Sequence, residues 1–183
     1  MPVTSQPTSI EGVRLYESPV FRDDRGYFQE LFNEAAFREA GLATTWVQDN
    51  ISNSRKNVVR GLHYQLGRPQ AKLVRVLRGA VIDYAVDLRR SSPTFGKHVA
   101  VELREGDGRA LLVPIGFAHG FVSLEENTVM MYKVSDVHHP TGERTLLWND
   151  PALQISWPIS AAEAILSAKD LAGSPLATAE TYP

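Results

Sequence analysis

The sequence predicts an all-β fold, a jelly-roll barrel of antiparallel strands with a few short flanking helices. Three observations carry that expectation. From Thr45 onward, runs of β-branched and aromatic residues alternate with Gly, Pro, Asp and Ser punctuation, at roughly the 8–12-residue spacing of sandwiches and barrels. Residues 80–88 alternate strictly, with Ile82, Tyr84, Val86 and Leu88 set against Val81, Asp83, Ala85 and Asp87, as a strand facing two environments requires. The first half of the chain offers only one clear helix. At 183 residues and 43% hydrophobic content, the chain suits one domain over 1–183, with an N-terminal arm at 1–12 and a C-terminal helical tail at 159–183.

Residues 1–9 are polar and carry two prolines, so they read as a tail unless a neighbour pins them in extended form. Residues 13–20 have strand character, and Arg22-Asp23-Asp24-Arg25-Gly26 makes a charged turn before the apolar Tyr27 and Phe28. Residues 33–41 predict a helix: Asn33 caps its start, Phe37 and Ala40 form an apolar side, and Gly41 ends it. Further on, residues 72–78, 80–88, 98–104, 110–113, 120–124 and 128–134 read as strands, with turns at Gly79, at 91–94 and at 105–108. Beyond Pro151 the composition shifts, and residues 161–172 are alanine-rich. Ser160 with Glu163 and Ser167 with Asp170 have capping-box spacing, which predicts a helical tail packed on the barrel.

The 19 basic and 21 acidic residues are mixed along the chain and leave a net charge of -2, without the basic block that a nucleic-acid partner needs. Cysteine is absent, so there is no disulfide, thiolate nucleophile or cysteine-ligated metal. The most apolar stretch, residues 110–124, is broken by Pro114, Gly116 and Gly120 and is too short to span a bilayer. With no signal-peptide apolar region, the expectation is a cytoplasmic protein without membrane association.

The segment V-V-R-G-L-H-Y at 58–64 places Arg60 and His63 three residues apart across Gly61. A regular strand would send these two side chains to opposite faces, so Gly61 reads as a bulge or twist that turns both into one cavity; the ordinary alternative is Arg60 on a solvated rim and His63 as a hydrogen-bonded strand histidine. The five histidines at 63, 98, 119, 138 and 139 include no H-x-H pair, so no local spacing supports a metal site. An acid–base set fits better. Proton removal beside a ketone needs a base near neutral pH, a cation or donor at the developing enolate oxygen, and an acid on the opposite face for inversion. His63, Tyr132, Asp170, Lys72 and Arg60 supply those types. Each also has an ordinary reading: Tyr132 as a lumen tyrosine beside Met130 and Val134, Lys72 as a solvated strand end, Asp170 as the third residue of a capping box. His119, between Ala118 and Gly120, suits a core histidine and a site residue equally.

Taken together, R-G-L-H-Y-Q at 60–65, S-P-T-F-G-K at 92–97, G-F-A-H-G-F at 116–121, Y-K at 132–133, W-N-D-P at 148–151 and L-S-A-K-D at 166–170 resemble the dTDP-4-dehydrorhamnose 3,5-epimerase family. The motifs keep the family's order from D-D-R-G-Y-F-Q-E at 23–30 to Asp170. The resemblance implies a cupin-type jelly-roll barrel, a homodimer with N-terminal strand exchange, no metal or other cofactor, and a nucleotide-linked 4-keto-6-deoxy sugar as substrate. It implies His63 as the base, Asp170 as its carboxylate partner and Tyr132 as the acid. It places Lys72 and Arg60 near the enolate oxygen and the phosphates, and makes His119 a substrate contact. Arg25, Glu30, a turn at Gln48-Asp49-Asn50, Glu143 and Lys169 fall on positions that hold the nucleotide sugar, some from the partner subunit. Where the family often carries an aromatic pair, this chain has Val137 and His138, and His138 becomes the candidate to stack on the base. The expected activity is inversion at C3 and C5 of dTDP-4-dehydro-6-deoxyglucose. The alternatives are inversion at one carbon, a different nucleotide-linked 4-keto sugar, a non-catalytic sugar-binding cupin and, last, a metal-dependent cupin oxygenase.

Overall fold

The computed structural model describes residues 2–183. Two antiparallel sheets face each other across one apolar interior. The larger has strand order β1 (Thr4–Pro7), β2 (Arg14–Glu17), β10 (Arg109–Val113), β7 (Lys72–Arg78), β12 (Thr128–Val134) and β5 (Gln48–Ser54). The smaller runs β13 (Glu143–Thr145), β6 (Val59–Gln65), β11 (Phe117–Ser123), β8 (Ala80–Asp87) and β9 (His98–Arg104). β3 (Val20–Asp23) and β4 (Gly26–Gln29) form a separate hairpin. The predicted all-β fold is present, and strands β7, β9 and β12 occupy the ranges expected from alternation.

Alternation along each strand divides the protein into three apolar layers. Val74, Val76, Val81, Ala85, Leu103, Leu111, Phe121 and Met130 fill the space between the sheets. Tyr16, Phe37, Leu42, Leu73, Ala110 and Leu112 form a second layer on the outer face of the large sheet, under helix α1 (Glu34–Glu39). Asn33 caps that helix by accepting from Ala36 N at 3.1 Å, and Gly41 follows it at φ +91°. The third layer, on the outer face of the small sheet, packs Val59, Leu62, Tyr84, Val86 and Val122 against Leu146, Trp148, Leu153 and Trp157 of the C-terminal segment.

The structure departs from the sequence expectation at two places. The C-terminal tail is mostly extended: its only α-helix is α2, Ala168–Leu171. Ile165 bridges Val58 in parallel, accepting from Val59 N and donating to Asn57 O at 3.0 Å each, so backbone pairing with the barrel overrides the weak helix propensity of an alanine-rich run. The Ser160–Glu163 capping pair forms, with Ser160 Oγ donating to Glu163 at 2.7 Å, but it closes a turn. The second correction is at Gln48-Asp49-Asn50, which opens strand β5 where a turn was expected. Pairing with β12 over the whole of β5 outweighs its polar composition.

The link from β8 to β9 depends on one buried carboxylate. Asp87, fully buried, accepts from Arg89 N, Nε and Nη2 at 3.0, 2.9 and 2.7 Å, from Ser92 Oγ at 2.7 Å and from Thr94 Oγ1 at 2.6 Å. Burial alone would raise its pKa, but these donors outweigh it and hold the carboxyl at about 2, against an ordinary 3.8. Because the folded pKa is the lower one, the stabilisation is complete above the unfolded value and is lost as pH falls through the folded one, a swing of about 2 kcal/mol. Asp87→Ala is expected to cost about 3 kcal/mol, since Arg89, Ser92 and Thr94 lose their acceptor. Urea unfolding at pH 7 measures it, and a loss under about 1 kcal/mol would contradict this reading.

Candidate active site

Strand β6 carries a bulge at the point where the sequence predicts one. His63 pairs with His119 and Arg60 with Phe121, so three steps on β6 match two on β11. Arg60 and His63 therefore line the same cavity. The bulge needs glycine at both strands: at Gly61 (φ +124°) a Cβ would stand 2.5 Å from Gly120 Cα. It also aims Gly61 N at Asp170 Oδ1, 3.3 Å away. Asp170 arrives from α2, whose short turn is fixed by Ser167: Ser167 Oγ accepts from Asp170 N at 3.2 Å and donates to Asp170 Oδ2 at 2.7 Å. The remaining oxygen, Asp170 Oδ1, lies 2.6 Å from His63 Nε2.

The cavity has two adjoining chambers that share His63, Lys72, Tyr132 and Glu143. The inner one, about 350 Å³, is also lined by Ser52, Arg60, His119, Phe121, Ser167, Lys169 and Asp170. The outer one, about 370 Å³, adds Gln48, Asn50, Tyr64, Gln65, Gln70 and His138. Gln48, Asn50 and Ser52 share one face of β5 by alternation, and Tyr132 pairs with Asn50 across β12. Lys72 begins β7 facing the lumen, as Val74 and Val76 do deeper in the interior. Eleven of the fourteen residues singled out in the sequence thus line one connected space.

The other three lie elsewhere. Asp49 alternates to the outer face of β5 and pairs with Lys133 Nζ at 2.9 Å. Arg25 sits on the β3–β4 hairpin, where it pairs with Asp23 at 2.5 Å in the open, and Glu30, just beyond β4, is likewise exposed. That hairpin presents Phe21, Tyr27 and Phe28 to solvent, Phe28 at 66% exposure.

Burial and neighbouring charge tune each group. Burial lowers the pKa of His63, opposed by its bond to Asp170, so the imidazole is neutral and able to accept a proton at pH 7. Asp170 would be raised by burial, but the bonds from His63, Ser167 and Gly61 hold it below the usual range. Burial raises the Tyr132 phenol, partly offset by Arg60, which keeps it a proton donor. Lys72 is brought down from 10.5 to about 8 by desolvation, against the pull of Asp83 and Glu143. Glu143 would be raised by burial, yet Lys169, 2.5 Å away, and the two histidines His63 and His138 lower it.

Other side chains complete or support the site. Asp83, on β8, holds His119 Nε2 at 2.8 and 3.0 Å with both groups buried. It stands mid-strand in β8, whose other charge is Asp87 at the strand's end. Ser52 has the same two-residue period as Gln48 and Asn50. Gln65 and Gln70 gave no such signal. Among the described residues, no cluster of three or more His, Cys, Asp or Glu side chains forms a metal-binding arrangement.

Comparison with known proteins bears on this geometry. The sequence model of the dTDP-4-dehydrorhamnose 3,5-epimerase family matches residues 7–178. The chain is 49% identical over 176 residues to the dTDP-4-dehydrorhamnose 3,5-epimerase of Pseudomonas aeruginosa, covering 96% of this chain and 97% of that one. A crystal structure of a dTDP-6-deoxy-D-glucose-3,5-epimerase from Legionella pneumophila, in complex with dTDP-4-keto-L-rhamnose, superposes with a TM-score of 0.92 at 41% identity, over 97% of this chain and 95% of that one. A 3'-monoepimerase from Streptomyces bikiniensis in complex with dTDP-quinovose is less similar, at 33% identity and a TM-score of 0.86, over 94% of this chain and 87% of its own.

Proposed function

Because the chain belongs to the dTDP-4-dehydrorhamnose 3,5-epimerase family, we propose that its cavity inverts C3 and C5 of dTDP-4-dehydro-6-deoxy-D-glucose to give dTDP-4-dehydro-L-rhamnose. One observation carries the reading: the His63–Asp170 pair at 2.6 Å shares a cavity with the half-buried Tyr132 phenol and Lys72 ammonium. The sugar occupies the inner chamber and the nucleoside the outer. Neutral His63 takes the proton from a carbon next to the C4 ketone; the C–H electron pair becomes the enolate's C=C bond as the carbonyl π pair moves onto the ketone oxygen. Asp170 holds the ring's orientation and stabilises the imidazolium. Lys72 and Arg60 face the enolate oxygen and the diphosphate. Tyr132 then gives its proton to the same carbon from the opposite face, and the tyrosinate regains one from the imidazolium through solvent. Repetition at the second carbon completes the double inversion. His119 touches the substrate from its Asp83-anchored position. Gln48, Asn50 and His138 hold the nucleotide end, and Glu143 and Lys169, which line the inner chamber, contact the sugar.

A homodimer belongs to this proposal. The hairpin's exposed Phe21, Tyr27 and Phe28 fit a second copy, and its Arg25 and Glu30 then reach the second copy's cavity. The expected N-terminal strand exchange would replace the pairing of β1 with β2 of its own chain, and the hairpin supplies a further contact. A nucleotide sugar's charged diphosphate does not cross a bilayer unaided, which supports a cytoplasmic location; no helix among the described residues is long and apolar enough to cross a membrane.

Incubation with dTDP-4-dehydro-6-deoxy-D-glucose and a trapping reductase tests the assignment, the expected product having L configuration at both carbons. Inversion at C3 alone would instead favour the mono-epimerase reading, for which the 33% identical 3'-monoepimerase is the precedent.

Lys72 yields a separate expectation. Its folded pKa of about 8 lies below its ordinary 10.5, so the folded protein holds fewer protons than the unfolded chain between those values. Stability therefore rises with pH across that window, and the cost of the buried ammonium is complete below it. Lys72→Met is expected to raise stability at pH 7 by about 1–3 kcal/mol while lowering kcat by about 10²-fold. Urea unfolding and steady-state rates measured on the same sample check both. A variant neither more stable nor slower would remove Lys72 from the reaction.

A further inference from the structure

The outer chamber is walled by two loops, residues 66–71 and 135–142, and one buried side chain ties both to the strand that carries His63. Gln65 stands two residues beyond His63 and is 5% exposed. Its Nε2 donates to Arg68 O at 2.7 Å and to Val137 O at 3.3 Å, and its Oε1 accepts from His139 N at 2.9 Å. Two of these three bonds flank His138. The His138 ring is 55% exposed and its nearest charged partner, Glu143, is 3.7 Å away, so its place is set by its backbone.

Other contacts join the loops to each other. Gln70 Nε2 donates to Asp136 O at 2.6 Å, Arg68 pairs with Asp136, and Ala71 N donates to Ser135 Oγ at 2.8 Å. Backbone bonds from Leu66 N to Gly142 O at 2.9 Å and from Ser135 N to Ala71 O at 3.1 Å join them too, so without the Gln65 amide the loops would stay joined and residues 137–139 would lose their side-chain tie to β6. We propose that Gln65 is a positioning residue that fixes His138 against the nucleobase and so sets affinity for the nucleotide, with no part in proton transfer. This deepens the proposed function and rests on its placing of the nucleoside in the outer chamber.

Calorimetric binding of dTDP alone separates the two, because it requires no turnover. Gln65→Met keeps the side chain's length and removes all three bonds; it is expected to weaken dTDP binding and raise KM about tenfold, with kcat within about twofold and its pH profile unmoved. Gln65→Glu keeps only the acceptor for His139 N and should fall between. Since Gln65 acts through His138, the loss in Gln65→Met with His138→Ala should match that of His138→Ala alone. Unchanged dTDP affinity in a folded Gln65→Met protein, losses that multiply in the double variant, or a fall in kcat with KM unmoved would each overturn the proposal. A wild type that binds dTDP with the expected Gln65 dependence but does not epimerise the sugar would overturn the proposed reaction and leave the positioning role standing; a wild type that does not bind dTDP would overturn both.

Discussion

His63→Ala is expected to abolish exchange of both the C3 and the C5 hydrogens, with kcat falling about 10³–10⁴-fold. Besides His63 the inner chamber holds one histidine, His119, and His138 lines only the outer chamber. His119 is buried with both Asp83 oxygens on its Nε2, and Lys72, with its pKa of about 8, is mostly protonated at pH 7. The loss should reach both carbons equally, because one base serves both in turn. Measured rates of deuterium uptake decide it. Exchange surviving at one carbon would mean that a second group removes that proton, and wild-type exchange at both would end the role of His63. The fold should survive, since His63 is partly exposed and lines a cavity, and its truncation leaves Asp170 still bonded to Ser167 and Gly61.

Tyr132→Phe separates proton removal from proton return. The ring packs against the interior beside Met130 and Val74, so phenylalanine keeps the packing and deletes only the hydroxyl. Exchange should persist, because His63 can remove and restore a proton on its own face, but inversion at one or both carbons should fall by about 10²-fold or more. The informative quantity is the ratio of exchange to inverted product, which should rise sharply. A variant in which both fall in step would make Tyr132 part of the first step; one that inverts normally would leave the acid unassigned.

Much of this site was legible in the chain because its strands obey simple alternation. The Arg60–His63 spacing around Gly61 foretold a bulge, and the register of β6 against β11 contains it. The Ser167–Asp170 capping pair was readable, and its second use, aiming the carboxylate at His63, came from the motif order and not from the spacing. The helical tail failed because local composition cannot register a parallel bridge from Ile165 to Val58, over a hundred residues away in sequence. The expected turn at 48–50 failed similarly: a polar strand looks like a loop until its partner, β12, is known. Asp49 was placed at the site by motif position, whereas alternation from Gln48 and Asn50 sends it outward to Lys133. Gln65 carried no local signal because its partners are backbone groups of two loops, one of them about seventy residues distant.

In the proposed reaction one histidine–carboxylate pair removes the protons flanking the ketone. The most direct test is proton NMR of the purified protein with dTDP-4-dehydro-6-deoxy-D-glucose in deuterated water, without added metal, following the C3 and C5 signals beside the His63→Ala variant. Both signals are expected to wash out with wild-type protein and neither with the variant. Retention of both signals by the wild type, or washing out at the wild-type rate by the variant, would contradict this assignment.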